Sequence, residues 1–223
     1  MSSLNPEEQF FADHVRSLYR DDEPSRQASL VEWQAAAELG QREAVACRSG
    51  CGACCHHLVP VWEVEALALY AAAQELPPET RSQVRANLGR WLPAYEAWLE
   101  EADCAGLEFD PATARQPFSA VATHYWQRRI PCPFLIDESC SIYADRPAEC
   151  RYYYALRSPD ACAQPDRLPV VQPAPLQRAG DRLRLQLIEA QRARDDGLLQ
   201  PQVPLWSYAP ALRQALGDEA TGV

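Results

Sequence analysis

The chain reads as a mainly α-helical single domain that carries a loop-rich cysteine segment. Helical periodicity marks both ends of its 223 residues, and cysteines crowd two short segments broken by glycine and proline. The composition, 47% hydrophobic and 23% charged, is that of a folded globular protein. Three regions follow: N-terminal helices over 1–46, a cysteine-cluster domain over 47–162, and a proline-rich connector with a C-terminal helix over 163–223. The outer helices are expected to pack around the middle region, whose cysteine loops form one face.

From Pro6 to Arg20 the residues Phe10, Phe11, His14, Val15 and Leu18 make an apolar stripe at helical spacing, and Glu7 and Glu8 suit the positive end of a helix dipole. His14 lies on that stripe and is expected in the core. A second helix, rich in Ala, Glu and Gln, is expected from Ser25 to Ala46. Gly50 and Gly52 then interrupt helical structure and place the first cysteines on a tight loop. Val61 to Gln74 favours helix again, and Pro77 with Pro78 stops it. Thr80 is expected to cap a long helix toward Glu101 that Pro93 kinks or divides. Cys104, isolated at the end of that helix, reads as a buried structural thiol.

Arg129 to Cys162 lacks regular periodicity but is dense in Cys, Pro and aromatic residues, as expected of a loop-rich segment held by ligands. Pro165 to Pro175, with four prolines, reads as an extended connector. Asp181 to Asp196 places Leu183, Leu187 and Ala190 on one helical face. Leu183, Leu185 and Leu187 also alternate as in a strand, but the length and the Arg, Gln, Glu and Ala content favour helix. Trp206 and Tyr208 in the tail are expected to dock on the body.

A formal charge of -10 repels phosphate over long range and argues against a nucleic-acid partner. Every basic residue is arginine, so no P-loop lysine or Schiff-base lysine is available. His-Glu-x-x-His, Gly-x-Ser-x-Gly and Gly-x-Gly-x-x-Gly are all missing, which leaves the common hydrolase and dinucleotide templates without an anchor. No apolar run approaches the ~20 residues of a membrane span, and the first residues lack the pattern of a secretory signal. The expected location is therefore the cytoplasm, with no membrane partner. In that reducing compartment nine cysteines, an odd number, point away from disulfides and toward metal or redox chemistry.

Cys47, Cys51, Cys54 and Cys55 fall within nine residues, and Cys132, Cys140 and Cys150 follow downstream. Thiolates hold zinc in sets of four or carry iron–sulfur clusters, in both cases drawing ligands from a tight turn plus distant residues. Cys54 and Cys55 are adjacent and cannot easily both point at one small ion. They suggest two metal centres, a multinuclear cluster, or one ligand beside a spare thiol.

The elements Cys132-Pro133-Phe134-Leu135, Cys140 with Ile142-Tyr143, Arg146-Pro147 and Cys150-Arg151, together with Cys47-x3-Cys51-Gly-x-Cys54-Cys55, resemble the YkgJ-type cysteine-cluster family, described as zinc- or iron-chelating. The likeness runs from Cys47 to about Tyr154. It departs at the first spacing, where Arg48, Ser49 and Gly50 give three intervening residues rather than two. The resemblance implies seven metal-associated cysteines: Cys47, Cys51, Cys54, Cys55, Cys132, Cys140 and Cys150. Cys162 is the first choice for an eighth donor, with His56 and His57 as the other candidates. A four-cysteine site with the remaining thiols beside it is the other way to divide them.

Around the thiols, Arg146 and Arg151 are expected to offset thiolate charge or cap carbonyls, with Pro147 opening a short helix. Tyr143 and Tyr152, Tyr153 and Tyr154 are expected to form an apolar wall around the metal. His124, before Tyr125 and Trp126, is expected to pack as an aromatic neighbour. The functional expectation is a metal-binding protein holding an iron–sulfur cluster or iron, in a redox, sensing or catalytic role. A structural or chelating zinc protein is the alternative. A metal-dependent enzyme acting on a protein or peptide is a second alternative, since flagellin lysine-N-methylases look similar in this segment. Cys47-x3-Cys51-x2-Cys54 also matches the spacing of radical S-adenosylmethionine enzymes, but the chain lacks the repeated strand–helix units of their barrel.

Overall fold

A computed structural model describes residues 4–48, 50–104, 117–156, 158, 159, 162, 174–197, 203, 204 and 212. The fold is mainly α. Among the described residues, six helices, α1 (Pro6–Glu38), α2 (Glu63–Glu75), α3 (Pro78–Cys104), α4 (Pro117–Gln127), α5 (Ala148–Arg151) and α6 (Ala174–Arg194), surround two short antiparallel strand pairs. One pair joins β1 (Pro60–Val61) to β4 (Val203–Pro204), and the other is a hairpin of β2 (Leu135–Ile136) and β3 (Ser139–Cys140). No described helix is long and apolar enough to cross a membrane.

The two N-terminal helices expected from the sequence are one. Asn5 opens α1 with a capping box, its side chain accepting the N–H groups of Glu7 and Glu8 while Glu8 reaches back to the Asn5 N–H. Pro24 lies inside this helix, where a missing N–H and a clash with the preceding turn cost about 3 kcal/mol. Its neighbours offset that cost through tertiary bonds: the Tyr152 hydroxyl donates to Asp22, Arg151 to Glu23, and Arg26 to the Tyr154 hydroxyl. The helix ends at Gly40 (φ 72°), where the N–H of Gly40 bonds the Ala37 carbonyl and that of Gln41 bonds Ala36. The stripe turned inward is Phe11, Ala12, Val15 and Tyr19. Phe10, 64% exposed, and His14 face outward instead and stack on each other, contrary to the core position expected for His14.

α2 begins two residues later than the sequence suggests, because Pro60 and Val61 pair with Pro204 and Val203. It is buried nearly all round, as an Ala-rich helix at the centre of a core should be. Leu69, Ala72 and Ala73 join one core with α3, α4 and the hairpin, while Val64 and Ala68 join a second with α1, α5 and α6. Each such fully buried aliphatic side chain contributes on the order of 1.5–3 kcal/mol.

α3 starts at Pro78 rather than at a Thr80 cap and continues through Pro93 without a break. Trp91, Tyr95 and Trp98 stack along it and hold it against Tyr125 of α4. The Cys104 side chain lies outside the described residues. α4, for which the sequence reading had no element, buries Val121, Tyr125 and Trp126. His124 accepts the Trp98 indole N–H at 2.9 Å, an aromatic neighbour as expected.

In α6, Leu183 and Leu187 are fully buried and Leu185 is 61% exposed, which decides for helix over strand. The helix starts at Ala174, so the last two residues of the expected connector form its first turn. The rest of that connector, and Trp206 and Tyr208, lie outside the described residues.

Candidate metal centre

The first cysteine loop is zipped to the chain that follows Cys150. Val45 bridges Leu156, the Ala46 N–H bonds the Ala155 carbonyl at 2.9 Å, and the Ala155 N–H donates to Cys47 Sγ at 3.2 Å. Gly50 (φ 75°) turns the chain, and N–H bonds from Cys51 to Arg48, Cys55 to Gly52 and His57 to Cys54 wind it tightly.

The second segment meets this loop through the Cys132 N–H, which bonds the Cys55 carbonyl at 2.7 Å. Its hairpin turns at Asp137 and Glu138, both at positive φ, and pairs Leu135 with Cys140. Asn87 of α3 props the hairpin by donating to the carbonyls of Pro133 and Leu135. Past a 3-10 turn, Tyr143–Asp145, α5 carries Cys150.

A buried polar network holds α5 in place. Glu65, fully buried, accepts the Ala148 N–H and the Tyr19 hydroxyl at 2.9 Å each and the Trp62 N–H at 3.0 Å. Burial raises its carboxyl to about 7. Arg151 is 2% exposed and donates to the carbonyls of Ala144 and Tyr19 and to Glu23. The capping role expected of Arg151 is what the fold shows. Glu65 was missed in sequence, although Trp62-x-x-Glu65 at the start of α2 has capping-box spacing.

Cys51, Cys54, Cys55, Cys132, Cys140 and Cys150 all line one cavity of about 150 Å³, together with His57, Arg48, Arg146, Tyr143, Phe134 and Ile142. Two sequence candidates stand apart from its wall. Cys47 is exposed at the start of the loop, and Cys162 is 3% exposed behind it. His56 does not line the cavity either, whereas His57 does. Among the described residues, no three His, Cys, Asp or Glu side chains close on a single ion-sized point. The thiols instead form a wall around a space able to hold about five waters at roughly 30 Å³ each.

Of the tyrosines expected to wall the site, Tyr143 lines the cavity but is 51% exposed and carries the Arg146 guanidinium 3.7 Å above its ring. Tyr153 packs against His57. Tyr152 and Tyr154 belong to the second core, with their hydroxyls on Asp22 and Arg26, because consecutive residues of an extended segment face opposite ways.

Charge in the cavity centres on Cys54. A hydrogen bond from Cys55, aided by Arg146, brings its thiol down to about 7, and the same bond with burial holds Cys55 protonated. Burial, then neighbouring sulfur charge, pushes Cys132 and Cys150 up, and burial raises Cys140; Cys162 reaches about 12 for the first two reasons. Arg146 acts the other way on Cys54, Cys140 and Cys150, which is the charge-offsetting role expected of it. Burial lowers His57 to about 4, so its imidazole is neutral and able to coordinate at neutral pH. Six thiols, a neutral imidazole and two guanidinium groups around one cavity fit a bound metal group.

A family model described as "Putative zinc- or iron-chelating domain", with the signature CxxCxxCC, matches residues 46–167, more than half of the chain. The chain belongs to this family. All six thiols of the cavity wall, and Cys47 and Cys162 as well, fall within the chelating-domain match. No curated protein and no solved structure matches the chain. The chelating domain is nonetheless packed by parts of the chain outside the match, since α1 and α6 build the second core.

Proposed function

We propose that the chain holds an iron–sulfur cluster, or iron, through Cys51, Cys54, Cys55, Cys132, Cys140 and Cys150, with Cys47 and Cys162 beside the site, as a cytoplasmic metal protein. The observation that supports this most is six thiols around a single cavity, two more than a closed zinc site uses. The apolar walls supplied by Phe134 and Ile142 restrict water, and Arg146 offsets the negative charge that several thiolates bring together. When bound, such a cluster supplies one-electron redox chemistry or an electrophilic iron. The chain's part is to position sulfur on two segments, keep water out and tune charge with Arg146.

The test is iron, zinc and acid-labile sulfide analysis, with absorption and Mössbauer spectra, on protein purified and reconstituted without oxygen. Brown protein with iron and sulfide together is the expected result. Colourless protein with stoichiometric zinc after the same reconstitution would replace this reading with the structural-zinc one.

A further inference from the structure

His57 brings an imidazole to the cavity wall. Its Nε2 is buried and has no hydrogen-bond partner among the described residues. In a neutral imidazole one ring nitrogen carries the proton and the other a lone pair, and an unpartnered Nε2 is free to present that lone pair to a metal. The ring is held between Trp126, with centroids 4.5 Å apart, and Tyr153, at 4.8 Å. The His57 N–H also bonds the Cys54 carbonyl at 3.1 Å. The imidazole is therefore pinned by its neighbours in the wall that presents six thiols.

We propose that His57 Nε2 is a nitrogen ligand to the metal group bound in the cysteine cavity. This rests on the metal-binding reading above. A buried imidazole nitrogen with no partner carries a desolvation penalty that coordination removes. His56 provides the contrast. Its Nδ1 is also buried and unpaired, but the residue does not line the cavity. A neutral imidazole in place of a thiolate makes the bound group less negative, and a mixed Cys and His set raises its reduction potential relative to thiolates alone.

X-ray absorption at the metal edge and pulsed electron paramagnetic resonance on full-length protein, with and without ¹⁵N-histidine, test this. Loading uses iron with sulfide under anaerobic conditions and, separately, zinc alone. The expected result is a nitrogen scatterer at about 2.0–2.1 Å in the zinc-loaded wild type, with a histidine hyperfine coupling in the reduced iron form. Both should persist in His56→Ala and vanish in His57→Ala. His57→Cys should retain metal and shift the potential downward. An all-sulfur shell in the wild type overturns the inference even if His57→Ala fails to fold, and so does a nitrogen signal that survives His57→Ala. Iron and sulfide bound with an all-sulfur shell would leave the cluster reading standing and remove only His57. Zinc bound with the His57 nitrogen, in protein that takes up no cluster, would do the reverse. Protein that binds neither metal overturns both.

Discussion

The backbone N–H of Cys132 bonds the carbonyl of Cys55, and this contact is where two cysteine segments far apart in the chain become one cavity. Gly52 lies beside the contact. A Cβ there would stand 2.6 Å from Leu135 Cδ1, 3.0 Å from Glu138 Oε2 and 3.4 Å from Glu138 Cα. The side-chain ends of Leu135 and Glu138 must both shift to admit it, against a hairpin backbone already at van der Waals contact. Gly52→Ala should therefore cost about 1–3 kcal/mol, read as a lower urea midpoint in metal-free protein, with metal affinity reduced as well. An unchanged midpoint would show that the two segments do not dock as described.

Cys51 lines the cavity next to the loop's tightest turns. Cys51→Ser should lower bound metal and reduce the melting temperature of the loaded protein. Full metal content with the same melting curve would remove Cys51 from the ligand set.

Metal binding should release protons. Cys132, Cys140 and Cys150 are held protonated by burial at neutral pH, so each one that coordinates must lose its proton. Apparent zinc affinity should climb steadily with pH through the neutral range. Calorimetry in buffers of different ionisation enthalpy should show more than one proton released per zinc. A pH-independent affinity would mean that these thiols are not ligands.

Glu65 gives the fold a pH dependence of known sign. Its folded carboxyl sits near 7, above the unfolded value of 4.5. Between these values the unfolded chain has lost the proton that the folded chain keeps, so this group's contribution to stability falls as pH rises from 4.5 to 7. The total change is on the order of 3 kcal/mol. Glu65→Gln cannot accept from Tyr19, Ala148 and Trp62 together and should be destabilised by about 1–3 kcal/mol. The gap from the wild type should be widest near pH 5 and narrow toward neutrality, as measured by urea unfolding across that range. A gap that widens with pH would contradict the raised carboxyl.

Arg151 ties the residue after Cys150 to α1. Arg151→Met keeps much of the volume but leaves Asp22 without this ion partner, Glu23 with Arg26 alone and two carbonyls without a donor. The expected loss is about 3–5 kcal/mol in metal-free protein. A loss under about 1 kcal/mol, the range of an exposed ion pair, would mean the network is open to water.

The cysteine spacing made the donors legible, because so few other arrangements call for thiols that close together. It did not reveal which candidate histidine meets them. His56 and His57 are chemically identical neighbours, and only the loop's path puts one in the wall. The merging of α1 escaped for a different reason. Pro24 breaks a helix locally, and the bonds that override it come from Arg151, Tyr152 and Tyr154, more than a hundred residues away. Leu183 and Leu187 show the opposite case, where length and composition outweighed a misleading alternation. The tyrosine wall held at Tyr143 but not at Tyr152 and Tyr154, which share a short segment with Tyr153 but face the other side of it.

Val61 is fully buried beneath a strand partner, Val203, that lies well beyond the stretch matched by the family model, and Leu212 joins the same core. The part of this protein that can be recognised is thus smaller than the part that must stay whole. Inheritance and foldability have different borders here. A fragment cut at the borders of the match would carry every candidate donor but lose the strand partner of Val61 and the helices that build the second core.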